Sequence, residues 1–522
     1  MNNPLRACAK WSVVALICIA NAFSGLPVAS QIRSAGLPNL GDGEDLSLAA
    51  EKRLGQSIAR EIYRDPDYLD DPVLGDYLQS IWQPLLAASR ARGELSPEMD
   101  ATFAWAPLLI RDRTVNAFAL PGGYMGVNLG LISLVVSRDE LASVLGHEMS
   151  HITQRHIARA VSKQARQTPL MLAAILLGLL AASKSPDAAN ATVAGSMAVA
   201  QQNQLNFSRD MEREADRIGF SVMTGAGFDG HAFVTMFDKL DRANRINDNG
   251  SFPYLRTHPL TTERIADAQL RLSEPLERIA PPVPASAEPL MMGARARVLA
   301  DPGVDALRAM VSEATSADSA LRLQAQPMER RAGVLYGAIM AKLRLKDNTD
   351  LPRMLAELAA LTAQDPQAAR ASTLLAAEVA LAMGDPARTL ALLTPLDGPT
   401  ASRAAMLLGV QARTQLGDPA SLAQAAGSLE LEVAQHPQDA FAWQLLAGIY
   451  GRQGLPARAI RAEAESRVAE LDYGGALDRF KAAQAISRSQ AASGPGDNIE
   501  ASILDTRTRQ VTLLLREQTL ER

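Results

Sequence analysis

His147 and His151 stand four residues apart, and Glu148 directly follows the first, in a chain of 522 residues. On a helix, residues four apart share a face, so both imidazoles project to the same side. Two nitrogens so placed can take one tetrahedral zinc ion; a catalytic zinc uses three protein ligands and keeps a fourth position open. Glu148 then points to the side where water would sit, the place of a general base. The chemistry of such a set is metal-assisted hydrolysis. A third ligand is available about 60 residues on, in Glu212-Arg213-Glu214-Ala215-Asp216. Glu212 can supply the carboxylate. Asp216, one turn later on the same face, can accept a hydrogen bond from the outer nitrogen of a liganding histidine and fix its tautomer. Glu214 competes for the ligand role; the placement of Asp216 favours Glu212.

These side chains need elements to hold them. Ser137-Arg138-Asp139-Glu140 is a capping box, and the helix it opens runs from Leu141 to Ile152. Met211 to Met223 reads as a second helix carrying the carboxylates. Val115 to Leu120 reads as a strand that meets Tyr124 to Leu129 through Pro121-Gly122-Gly123. Its residues Asn116, Ala117 and Phe118 can pair with an extended substrate by β-augmentation, or the hairpin is purely structural. His258 precedes Pro259, which biases it to an extended conformation. It either comes near the metal, as a fourth ligand or an oxyanion stabiliser, or lies on a surface loop. His156, His231 and His436 read as structural or solvated.

Residues 46–272 mix helical and strand patterns and hold five of the six histidines. Across the chain 47% of residues are hydrophobic, 21% charged and only 4% aromatic, and abundant Ala and Leu favour helices. A net charge of −5 without a long basic run argues against nucleic acid as a partner. Arg6 and Lys10 precede an apolar run from Trp11 to Phe23, and Val28-Ala29-Ser30 offers small residues before a cut. Residues 1–30 therefore read as an export signal peptide, with a retained membrane anchor as the alternative. Both cysteines, Cys8 and Cys18, lie inside it, so a metal site in the mature chain must use His and carboxylates. Pro169 to Ala182 is apolar but too short for an ordinary membrane span. It reads as a buried helix of the catalytic core, or as a lid or membrane-surface segment giving peripheral membrane contact.

Prolines at 275, 281, 282 and 284 mark a linker at 273–295. Residues 296–490 then repeat. Gly384-Asp385-Pro386-Ala387 recurs as Gly417-Asp418-Pro419-Ala420 and as Gly454-Leu455-Pro456-Ala457, at spacings of about 33 and 37. Each Gly suits a helix C-cap and each Pro the start of the next helix. Trp443, Leu446, Ala447, Tyr450, Gly454 and Ala459 fall near the signature spacings of a tetratricopeptide repeat. The repeats either form a concave protein-binding surface or only steady the first domain. Residues 491–522 are left as a C-terminal tail.

Asn116 to Tyr124, Gly130-Leu131, the His147–His151 motif and the Glu212–Asp216 motif together resemble the gluzincins of the HtpX and CAAX-prenyl-protease type. With a signal peptide and a repeat tail, the architecture is similar to the BepA-like proteases of the bacterial periplasm. The resemblance implies Zn2+ held by His147, His151 and Glu212, with Glu148 as base. It also implies a role in quality control and assembly of outer-membrane proteins, with unfolded outer-membrane proteins as substrates and the assembly machinery met through the repeats. The expected fold is an α+β zincin-like metalloprotease domain, mostly helical with a small sheet, followed by an all-α tetratricopeptide-repeat solenoid. The rival reading is a chaperone or assembly scaffold with latent or secondary proteolysis. A non-peptidase zinc hydrolase is weaker, because nothing suggests a small-molecule pocket.

Overall fold

The computed structural model describes residues 46–163, 209–246, 252–273, 285–396, 402–490 and 495–520. The expected export signal and the apolar segment 169–182 lie outside these residues. The first helix, α1 (Leu48–Arg64), starts on Ser47, whose hydroxyl accepts from the N–H of Ala50. After β1 (Tyr68–Leu69), α2 (Pro72–Ala91) is capped by Asp71, and α3 (Pro97–Thr102) by Ser96. In both, a proline occupies the first turn, where its missing N–H costs nothing.

Three further strands follow: β2 (Ala106–Ile110), β3 (Ala117–Ala119) and β4 (Tyr124–Asn128). The sheet order is β1-β2-β4-β3, with β2 and β4 parallel and β3 antiparallel to β4. The expected hairpin is therefore present, with its first strand shorter than Val115 to Leu120, and that strand forms an edge of the sheet. A short helix α4 (Leu129–Leu134) leads to α5 (Arg138–Thr153).

The cap forms with one shift: Ser137 accepts from the N–H of Glu140 at 3.1 Å, while the Glu140 carboxylate reaches back past the cap to the N–H of Val136 at 2.8 Å. Every residue of α5 from Glu140 to Thr153 is buried. Its hydroxyls turn back on the helix, Ser143 to the carbonyl of Glu140 and Ser150 to that of Gly146, so they bring no unpaired donor into the core. The next helices are α6 (His156–Lys163), α7 (Arg209–Gly225), α8 (His231–Ile246), the single turn α9 (Tyr254–Thr257) and α10 (Thr262–Ser273).

Every element described from Glu288 onward is a helix, beginning with α11 (Glu288–Leu299). The linker expected to reach 295 thus gives way to helix at 288; Pro289 sits in the first turn and does not interrupt it. The expected tail likewise contains a helix, Pro495–Leu520, which buries Leu504 and Val511 against Phe480 and Ala483 of the helix before it. Helices begin at Pro386, Pro419 and Pro456, just after Gly384, Gly417 and Gly454. Those glycines have φ of 79°, 75° and 72°, left-handed values at which a Cβ is strained.

The core does not stop at the linker. One continuous cluster joins Leu78, Leu85, Met125 and Leu145 to Met291, Met292, Tyr336 and Leu375. Helix α11 lies on α4 so closely that a Cβ on Gly293 would sit 3.2 Å from the carbonyl oxygen of Ile132. At the same junction the buried guanidinium of Arg295 forks onto Asp71, the cap of α2, at 2.7 and 2.8 Å. It also forks onto Glu378 at 2.7 and 2.8 Å. Further along, Arg403 bridges Asp70 and Asp439, and Arg64 meets Asp472 at 3.2 Å, so later helices return to the N-terminal ones.

Candidate metal centre

Helices α5 and α7 cross at two glycines. A Cβ on Gly219 would lie 2.9 Å from the Cα of His147, and one on Gly146 would lie 3.1 Å from the carbonyl oxygen of Gly219. This approach sets the carboxylates of α7 against the imidazoles of α5. Gly219→Ala is expected to spread the crossing, cost about 1–3 kcal/mol of stability and weaken metal retention against a chelator. Unchanged retention would mean that the crossing has slack.

Nε2 of His147 and Nε2 of His151 are 3.0 Å apart, and Glu212 lies 3.5 Å from each. Donors about 2.0–2.1 Å from a tetrahedral zinc are about 3.3 Å from one another, so this spacing suits one ion. His258 joins them, with Nδ1 3.0 Å from Glu212 and 3.4 Å from His147. These four buried residues can hold a metal ion, with one ligand atom of each lying within 4.8 Å of the others. The donors are imidazole and carboxylate, a set that suits zinc.

Glu148 is fully buried beside them, and its Oε2 accepts from the N–H of Ala119 on β3 at 2.9 Å. Its Oε1 is buried without a hydrogen-bond partner and lies 3.4 Å from Nε2 of His258. A buried carboxylate oxygen left in this state beside converging nitrogens fits a centre that takes a cation and water.

The outer nitrogens also face polar partners. Nδ1 of His147 lies at ion-pair distance from Asp216, 3.0 Å. Asp216 receives two bonds from Arg264, at 2.6 and 2.7 Å, and the same guanidinium reaches Glu212 at 2.9 Å and the carbonyl of Pro259 at 2.9 Å. Nδ1 of His151 faces Nδ1 of His156 at 2.9 Å, and Nε2 of His156 is 3.0 Å from Glu214. Tyr254 stacks on His258 with ring centroids 4.8 Å apart.

Burial lowers the basicity of His151, and His147 beside it adds to this, holding it well below 6.5; it stays neutral, as a metal ligand must. At His147 burial also lowers the value, but hydrogen bonds to Asp216 and Glu212 outweigh it and raise it to about 9. Burial pushes the Glu212 carboxyl up, while His258 and His147 draw it well below the usual range. The centre thus balances its carboxylates with protons that a cation would displace.

His147, Glu148, His151, Glu212 and Asp216 therefore meet in one place, and His258 joins them instead of lying on a surface loop. Asn116, Ala117 and Phe118 lead into Ala119, the residue of β3 that touches Glu148. Of the two roles expected for His156 the structure shows the structural one: it is buried against His151, with which and with Glu214 it bonds. The fifth position after His151 falls off that helix face, and only the break at Arg155, with φ of 53°, turns it back. Arg264 carried no sequence signal beyond its place six residues after His258.

A buried helix bearing two histidines and a glutamate, crossed by a second helix bearing a carboxylate and flanked by an edge strand, defines a zinc metalloendopeptidase. The pattern described as peptidase family M48 matches residues 77–272. A putative beta-barrel assembly-enhancing protease of Vibrio cholerae is 33% identical over 346 residues, 66% of this chain and 67% of that protein. The beta-barrel assembly-enhancing protease of Escherichia coli is 33% identical over 267 residues, covering 51% of this chain and 53% of the relative. The mitochondrial metalloendopeptidase OMA1 of Schizosaccharomyces pombe is 29% identical over 282 residues, 52% of this chain and 74% of that protein. The chain belongs to peptidase family M48. It spans about two thirds of the Vibrio relative and about half of the Escherichia coli one. Among the described residues, no helix is long and apolar enough to cross a membrane.

Proposed function

We propose that this peptidase works in the bacterial periplasm, degrading misfolded or stalled outer-membrane β-barrel proteins and aiding their assembly. The similarity to the beta-barrel assembly-enhancing proteases of Vibrio cholerae and Escherichia coli supports this reading, as does the export signal expected at 1–30. We assign His147, His151 and Glu212 as zinc ligands, Glu148 as general base, and Asp216 as the group that orients His147. The observation that carries the peptidase reading is the bond from Ala119 to Glu148, which ties the edge strand to the base.

Asn116 and Leu120 bond to β4, so the backbone groups of Ala117 and Ala119 turn away from the sheet. An extended peptide laid along Asn116, Ala117 and Phe118 lies beside Glu148. Zinc, when bound, supplies Lewis acidity to the scissile carbonyl and to water. With Oε2 held by Ala119, Glu148 takes the water proton on Oε1 and later passes it to the leaving amine. His258, whose Nδ1 lies 3.0 Å from Glu212, would serve as a fourth ligand at rest and so keep the site latent. His258→Ala is expected to raise turnover of an unfolded protein substrate several-fold; unchanged activity would remove His258 from the centre's working parts.

Residues 296–490 form a tetratricopeptide solenoid that recruits substrates and meets the outer-membrane assembly machinery. The left-handed glycines before each helix start, and the packing of Trp443, Leu446 and Tyr450 into one small core, support this assignment. Complementation tests the function. In a host lacking its own copy, wild type is expected to restore exclusion of a large antibiotic, while Glu148→Gln, accumulating normally and retaining zinc, is not. Full rescue by Glu148→Gln would shift this phenotype to the scaffold reading.

A further inference from the structure

Helix α5 ends at Thr153, and Arg155 adopts a left-handed φ of 53°, uncommon for a residue with a side chain. Two contacts hold that conformation: the guanidinium of Arg155 reaches the carbonyl of Leu46 and meets Glu51 at 2.9 Å. Glu51 is only 1% exposed, so a buried carboxylate on α1 is committed to this turn. The product of the turn is the position of His156, whose ring comes back under His151 with centroids 4.8 Å apart at 78°.

We infer that His156 and Glu214 are positioning residues for the zinc centre, fixing the tautomer and ring orientation of His151 through a relay that ends on α7. The bonding order follows from proton inventory. Nε2 of His151 faces Glu212 and His147 and must carry a lone pair to bind metal, so its Nδ1 carries the proton. That N–H donates to Nδ1 of His156 at 2.9 Å, which leaves the His156 proton on Nε2. From there it donates to the carboxylate of Glu214 at 3.0 Å, and Arg159 anchors the same oxygen at 2.9 Å. Each polar atom in the chain then has one complementary role.

Glu214 thus has its own task, distinct from that of Glu212. Glu212, two residues earlier on α7, faces the centre, while Glu214 is turned towards α6. The two histidines of α5 are consequently held from opposite sides, His147 by Asp216 and Arg264, His151 by His156 and Glu214. The inference rests on the zinc assignment, so its test reads metal binding separately from turnover.

The test compares the full-length wild type with His156→Ala, Glu214→Gln and the double variant. Zinc affinity is read by competition with a chromogenic chelator, the visible spectrum after cobalt substitution, and kcat and KM at saturating zinc. Loss of an outer partner of a metal-bound histidine lowers affinity about 10–100-fold. His156→Ala is expected to fall in that range, with an altered cobalt spectrum and a lower kcat at little-changed KM. Glu214→Gln keeps an acceptor but loses the charge, and is expected to show a smaller loss in the same direction. The double variant is expected to resemble His156→Ala, because the residues act in series. His156→Asn, which can still accept from His151, is expected to recover part of the affinity. Zinc affinity and cobalt spectrum within twofold of wild type in folded His156→Ala would overturn the inference. Should that variant fail to fold, Glu214→Gln decides alone, since its side chain is 30% exposed and tolerates the change. Wild-type affinity and spectrum there would equally overturn it.

Discussion

Glu148→Gln is expected to cleave an unfolded protein at least about 10²-fold, and up to about 10⁴-fold, more slowly than wild type, the range general acid–base catalysis supplies. It is also expected to retain one zinc per chain. The amide preserves the shape of a side chain that is 0% exposed, and its carbonyl can still accept from the N–H of Ala119. What disappears is the proton acceptor at Oε1, the oxygen facing His258. Because the ligands stay in place, kcat should fall with little change in KM. Steady-state cleavage of a denatured reporter, with metal analysis of the same preparation, checks both halves. Retained activity at full zinc content would move the base elsewhere, and His258, with Nε2 3.4 Å from Glu148, would be the next residue to change.

Arg295→Met is expected to lower global stability by about 3–5 kcal/mol, the cost of removing one partner from a buried ion pair. The guanidinium is 4% exposed and stands between two carboxylates, Asp71 and Glu378. Burial alone would lower its basicity, but Asp71 and Glu378 raise it well above the usual arginine value, so it remains charged. Without it, two negative groups face each other beside Tyr336, and Asp71 must also cap α2. The midpoint of urea unfolding should drop accordingly. Zinc-loaded activity per folded molecule should hardly change, because none of the metal-binding side chains touches this network. Adding Glu378→Leu should recover part of the loss, since one of the unpaired charges is then gone. An unshifted midpoint would mean that water or a side-chain movement satisfies both carboxylates.

The parts of the centre that obey a helical period were readable from sequence. His147, Glu148 and His151, and then Glu212 and Asp216, lie at spacings that a helix face dictates, and the cap at Ser137 fixed where the first helix begins. The edge strand was readable because Pro121-Gly122-Gly123 leaves few ways to connect two short extended runs. For His258 the step before Pro259 left two places open, the metal or a surface loop, and only the folded chain sets it 3.0 Å from Glu212. His156 was not readable, because its contribution depends on a backbone reversal at Arg155 that no glycine or proline announces. That reversal rests on Glu51, about a hundred residues earlier. Nor could periodicity show that helices beyond residue 287 complete the core of the first domain. Their Ala and Leu pattern says that one face is buried, without saying against what.

That shared core has a consequence for when the peptidase comes into being. A chain is made from its N-terminus, so both zinc motifs leave the ribosome well before Met291, Tyr336 and Leu375. Until those side chains arrive, the apolar faces of α2 and α4 have no cover, and Asp71 lacks Arg295. The hydrolytic apparatus therefore matures late, after most of the polypeptide has been made. A chain cut short before those helices has its ligands but not the scaffold that holds them rigid, so the hydrolytic site and the helices beyond residue 287 come into being together.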